Sequence, residues 1–105
     1  MNAIKTINGL EITDVIVFPV KHKCKQSNLL ALAKVVFNDQ FLITGIKILE
    51  GKNGPFIAFP QEHDRISGKN YDICFPVTRE LREYMADEVI SQYNISLHAV
   101  TTGGI

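Results

Sequence analysis

Gly54-Pro55-Phe56-Ile57-Ala58-Phe59-Pro60 and, after a polar loop, Tyr71-Asp72-Ile73-Cys74-Phe75-Pro76-Val77 decide how this chain folds. Each is a short apolar run closed by a proline. Proline lacks an N–H and has a fixed φ, so Pro60 and Pro76 are expected to end strands rather than lie inside them. Pro55 is expected to start one, because the first residue of a strand tolerates a missing donor. The loop between, Gln61 to Asn70, carries Glu62, His63, Asp64, Arg65 and Lys69, with Gly68 as its turn residue. Upstream the chain reads as sheet that pairs with these strands. Downstream it reads as one helix that packs on them.

Working back towards the N-terminus, Gln40 to Leu49 is a strand whose apolar members are Phe41, Ile43, Ile46 and Ile48. Their parity switches between Ile43 and Ile46, with Gly45 at the switch. One inserted residue restores the inward face, so the pattern predicts a bulge at Gly45. Leu29 to Phe37 is the preceding strand, and Asn38-Asp39 joins the two as a hairpin turn, since Asn and Asp accept positive φ best among non-glycine residues. Glu11 to Val20, rich in Ile, Val, Phe and Thr, is the first full strand. Pro19 near its end argues for an edge position or a bulge. Before it, Met1 to Gly9 is frayed or a weak extra strand, with Asn8-Gly9 as a turn signal. Short connections between five strands favour an antiparallel sheet.

Working forward, Thr78 is placed to cap a helix from about Arg79 to Tyr93. Leu81, Tyr84, Met85, Val89 and Gln92/Tyr93 repeat at three and four, a face widened by Ala86 and Ile90. Arg79, Glu80, Arg82, Glu83, Asp87 and Glu88 form the polar side, with Arg79 and Glu83 spaced to pair. Asn94 is the expected stop, and the tail to Ile105 is expected to be loose. The fold class that results is α+β: an antiparallel sheet of about five strands with one C-terminal helix. The chain is a single domain over residues 1–105, with its core in 11–93 and flexible ends.

Composition sets the outer bounds. One core fits 105 residues, and 46% hydrophobic with 21% charged content is ordinary for a globular chain. Formal net charge is zero but unevenly spread. Residues 1–60 hold seven lysines against Glu11, Asp14, Asp39 and Glu50, and residues 61–105 are net −3. Cys24 and Cys74 make no metal pattern and read as free thiols of a reducing compartment. No signal sequence and no apolar run near eighteen residues is present, so the expected location is the cytoplasm.

The two proline-closed motifs, Gly54 to Pro60 and Asp72 to Val77, resemble those of the bacterial SpoVG family (stage V sporulation protein G, also called septation protein). That family typically reads Gly-x-Phe-Val-Ala-Met-Pro, a basic loop, then Asp-Ile-Ala-His-Pro-Ile and a helix. Ile12-Thr13-Asp14-Val15 is similar to its first strand. Asp39 to Ile43 and Ile46 to Gly51 are similar to its third, and Arg82, Asp87, Val89 and Tyr93 match residue types in its helix. The resemblance spans residues 11 to about 93. It implies a small α+β domain, dimeric through sheet-edge pairing. It also implies a cytoplasmic, non-enzymatic regulator that binds DNA and RNA and influences septation, sporulation or virulence genes, with no cofactor. This chain departs from the pattern in places. Gln61-Glu62-His63-Asp64 stands where the family is basic, Phe75 replaces the usual His, and the helix's outer face is net −2.

The candidate phosphate contacts are therefore Lys21, Lys23 and Lys25 in the first connection, Arg65 and Lys69 in the loop, and Arg79 and Arg82 at the helix start. Each has a plainer reading. The lysine run also suits a solvated turn that protects a sheet edge. Arg79 suits a pair with Glu83, and Arg82 is nearly even between structural pairing and phosphate contact. Glu62, His63 and Asp64 lack further ligands at metal spacing, so exposure explains them better than metal or acid–base chemistry. Cys74 has no local base and reads as a small core residue. Phe56, Phe59, Tyr71 and Phe75 could stack on bases, although Phe56 and Phe59 have opposite parity and at least one of them belongs to the core. Two functions remain: a nucleic-acid-binding regulator, or a dimeric protein-interaction module that has lost most basic contacts.

Overall fold

The computed structural model describes residues 6–20 and 27–103, with side chains through residue 98. Its strands are β1 (Ile12–Pro19), β2 (Leu29–Phe37), β3 (Phe41–Gly51), β4 (Gly54–Ala58), β5 (Gln61–His63) and β6 (Asn70–Asp72), followed by helix α1 (Arg79–Gly103). β1 to β4 form an antiparallel sheet in chain order, and β5 pairs only with β6. The architecture is α+β as expected, with the strands divided into a sheet of four and a ribbon of two.

Local chemistry accounts for the turns of the main sheet. Asn38 and Asp39 both have positive φ, 52° and 54°, at the β2–β3 turn. The Asn38 side chain braces that turn against the start of β1, accepting from the Glu11 N–H at 2.8 Å and donating to the Gly9 carbonyl at 3.1 Å. Asn8 and Gly9 turn the chain ahead of it, with Ile7 bridged to Leu10. At the expected bulge, Ala33 faces Ile46 while Val35 faces Ile43, so β3 holds one residue more than β2. Gly45 is at φ +86°. A left-handed residue at that point keeps Ile43, Ile46 and Ile48 on one side of the sheet.

That side is the core. Ala31, Ala33, Val35 and Phe37 from β2 meet Ile46 and Ile48 from β3 and Met85, Val89 and Tyr93 from α1, with Phe59 closing the end. The helix therefore buries the stripe that its spacing defines. The Tyr84 hydroxyl adds a polar fastening, accepting from the Ile12 N–H at 2.9 Å and tying the helix to the edge strand β1. Thr78 caps the helix, its Oγ1 accepting from the Leu81 N–H at 3.2 Å.

Three expectations are corrected. The second proline-closed run does not form a fifth strand of the main sheet. Only Asn70–Asp72 pairs, and it pairs with Gln61–His63, which had been read as loop. Residues 73–78 bend towards the helix, with the Ile73 N–H donating to the Pro60 carbonyl at 2.9 Å. Cys74 is accordingly a free, partly exposed thiol in that bend rather than a strand residue in the core. Finally, the helix runs through Asn94 to Gly103. Asn inside a helix costs only about 0.7 kcal/mol or less relative to Ala. A left-handed cap favours glycine, and none occurs between Gly68 and Gly103.

Candidate nucleic-acid interface

The ribbon β5–β6 projects two of the candidate cations. Every residue of both strands is exposed, so hydrogen bonds rather than burial hold the shape. Gln61 donates to the Asp72 carboxylate at 2.7 Å, and His63 bonds Asn70 at 2.8 Å. At the tip the Asp64 N–H donates to the Lys69 carbonyl, and the Gly68 N–H to the Asp64 carbonyl, both at 2.8 Å. The Asp64 carboxylate completes the turn, accepting from the Ile66 N–H at 3.0 Å and the Ser67 hydroxyl at 2.8 Å. Lys69 N–H in turn donates to the Ser67 Oγ at 3.2 Å. Gly68, at φ +75°, lets the backbone close.

This arrangement changes the meaning of the acidic loop. Hydrogen bonds from Ser67 and then Ile66 favour the Asp64 anion and hold its carboxyl below the ordinary value of 3.8. Its oxygens are turned into the loop, where they build the tip. Arg65, Ile66 and Lys69 are left exposed on the outside, Ile66 almost completely so. The composition of the loop suggests repulsion of phosphate; the geometry adds that the Asp64 carboxylate also closes the turn that carries Arg65 and Lys69.

The helix cations divide. Arg79 is largely exposed and pairs with Glu83 at 3.1 Å, the spacing of one helical turn. Arg82 is held more firmly. Its Nη2 donates to the Pro76 carbonyl at 3.3 Å, and its guanidinium lies 5.7 Å from the centre of the Phe59 ring. Arg82 thus pins the bend before the helix to the core, an anchoring role that its spacing in the sequence could not reveal. Beside it a cleft of about 730 Å³ runs between β4 and α1, and Asp72 and Asp87 share its lining with Arg82. Lys21, Lys23 and Lys25 lie outside the described residues. Of the aromatic candidates, Phe59 is buried, whereas Phe56, Tyr71 and Phe75 are about half exposed. No three His, Cys, Asp or Glu side chains among the described residues are grouped to hold a metal ion. No helix among them is long and apolar enough to cross a membrane.

Comparison with known proteins agrees with the fold and the two motifs. The SpoVG family model matches residues 10–95. A protein of Acholeplasma laidlawii named "Putative septation protein SpoVG" is 31% identical over 96 residues, 91% of this chain and 98% of its own length. Proteins of the same name from Clostridium botulinum strain Alaska E43 and Borreliella afzelii are 33% and 30% identical over 84 residues. Those matches cover 80% of this chain and 88% and 86% of the relatives. The family match takes in all six strands and the capped start of the helix, and the chain belongs to the SpoVG family.

Proposed function

We propose that this protein is a non-enzymatic regulator that binds DNA or RNA mainly through phosphate contacts and acts in septation, the process for which its relatives are named. The observation that carries the reading is the ribbon tip. A hydrogen-bonded turn displays Arg65 and Lys69, both exposed, while the Asp64 carboxylate is engaged by the turn's own Ile66 N–H and Ser67 hydroxyl. A turn held in one backbone shape presents its cations to a polyanion at lower entropic cost than a free loop would. Each phosphate neutralised releases condensed counterions. Pairing of the free sheet edges, β1 or β4, would join two copies and present two ribbons to one strand of nucleic acid.

A salt-titrated binding assay on labelled DNA and RNA tests this. With roughly four to six phosphates engaged per dimer, log K should fall against log salt with a slope of about −3 to −5. Arg65→Ala with Lys69→Ala should weaken all sequences about equally and flatten that slope. Absence of binding at about 50 mM salt would sink the reading. The protein-interaction module would then lead, favoured by the exposed acids Glu80, Glu83, Asp87 and Glu88 on the helix.

A further inference from the structure

The four-stranded sheet has α1 on one face and nothing on the other among the described residues. Strand alternation sends Ile16 and Phe18 of β1 to this open face, with Leu32, Lys34 and Val36 of β2. Leu42 and Lys47 of β3 and Phe56 of β4 join them in register. Phe18 is 48% exposed, Leu32 43% and Phe56 47%. A contiguous apolar patch across four strands is more than scattered exposure and marks a binding surface. Its polar content is directional. Lys34 and Lys47 stand within it, and Asp14 is its one acid among the described strand residues. The Lys34 Nζ lies 5.5 Å from the centre of the Phe18 ring, so one cation sits directly beside one exposed aromatic.

These features discriminate between occupants. A second copy laid face to face would enclose Lys34 and Lys47 from both chains against only Asp14 from each. Unpaired ammonium groups removed from water are costly. A polyanion supplies the missing charge itself. We infer that the open face binds single-stranded nucleic acid, with bases stacked on Phe18 and Phe56 and phosphates held by Lys34 and Lys47. Phe18 and Phe56 are on the two outer strands, offset by two residues along the sheet and about 16 Å apart at the usual strand spacing and rise, a distance that a short extended strand spans. Leu32, beside Phe18, and Leu49, beside Phe56, form an apolar floor between them. Sequence tolerance follows, because every base has a π-face. The inference rests on the nucleic-acid reading above and narrows it. A duplex keeps its bases stacked on one another and cannot offer them to a sheet, so the platform selects single strands.

The chain contains no tryptophan, which makes the test direct. Phe18→Trp and Phe56→Trp each introduce a unique fluorophore, and an oligo-uridine of about 15 nucleotides should quench both on binding. Phe18→Leu and Phe56→Leu keep the apolar surface but lose the ring. Each should weaken single-strand binding about five- to hundredfold, with duplex binding unchanged. Lys34→Gln with Lys47→Gln should reduce the salt slope on single strands by about 1.4. If the leucine variants bind normally while Arg65→Ala with Lys69→Ala abolishes binding, the platform is wrong and the ribbon reading stands. If the wild type binds no nucleic acid, both fail together. If Leu32→Glu splits an oligomer in sedimentation and leaves oligonucleotide binding intact, a second copy covers the face and the platform is excluded.

Discussion

The sheet–helix body and the β5–β6 ribbon are stabilised by different physics within one chain. In the body, β2 and β3 bury alternate residues against α1, and every long strand shares one apolar core. In the ribbon no strand residue is buried, and turn geometry with side-chain hydrogen bonds carries the shape. A two-stranded hairpin by itself is marginal in water. The ribbon persists because it is anchored at its base, where Ile73 bonds Pro60, and because Asp64 closes its tip. Changes in the body should therefore register as stability, and changes in the ribbon as local order and binding.

The sharpest way to break this contrast is in the body. Ile48 is completely buried between β2, β4 and the helix side of the sheet. Ile48→Ala should cost about 2–5 kcal/mol in denaturant unfolding. A much smaller loss would mean that the sheet and helix do not share one core.

Gly45→Val comes next. A Cβ there would meet Pro60 at an ordinary 3.7 Å, so space is available and the penalty lies in the backbone at φ +86°. Strain of about 1–3 kcal/mol is expected for a β-branched residue in that conformation. An unchanged melting temperature would show that β3 can shed its bulge.

Tyr84→Phe tests the hydrogen bond from the Ile12 N–H of the edge strand to the helix. It leaves the Ile12 N–H without its acceptor, at a cost of about 1–2 kcal/mol. Amide exchange should quicken at Ile12 more than at residues of β2.

Asp64→Ala should have the smallest effect on global stability and the clearest local one. The melting temperature should stay near that of the wild type while the Ile66 and Ser67 amides lose protection and nucleic-acid affinity falls. Acid provides a second route to the same state. Because the folded carboxyl is depressed below 3.8, the turn's stabilisation is present above that value and is lost as pH falls through the lower folded pKa. The Ile66 amide resonance should therefore titrate below pH 3.8. A transition above it would contradict the inward bonding of the carboxylate.

Much of the body was legible because its determinants are local. Asn38-Asp39, the parity switch at Gly45, the cap at Thr78 and the stripe from Leu81 to Tyr93 each state a backbone conformation or a buried face within a few residues. The candidate site was only half legible. Arg65 and Lys69 were identifiable as cations in a loop, and the Arg79–Glu83 pair by its spacing. The inward turn of Asp64 and the grip of Arg82 on Pro76 and Phe59 depend on where distant atoms lie. Lys34 and Lys47 went unnoticed because strand alternation shows two faces without showing which one a helix will cover.

The sequence by itself therefore determined β1 to β4, the β2–β3 turn, the bulge, the start of the helix and the family, since periodicity, φ preference and proline placement act over short stretches. Tertiary structure alone decided the pairing of residues 70–72 with 61–63, the open face of the sheet and the role of each charged side chain. These outcomes are settled by competition between distant partners. The main-sheet edge at β4 and the ribbon both offered backbone groups to the second proline-closed run. Ribbon pairing joins neighbours in the chain, closes the shorter loop and so loses less entropy.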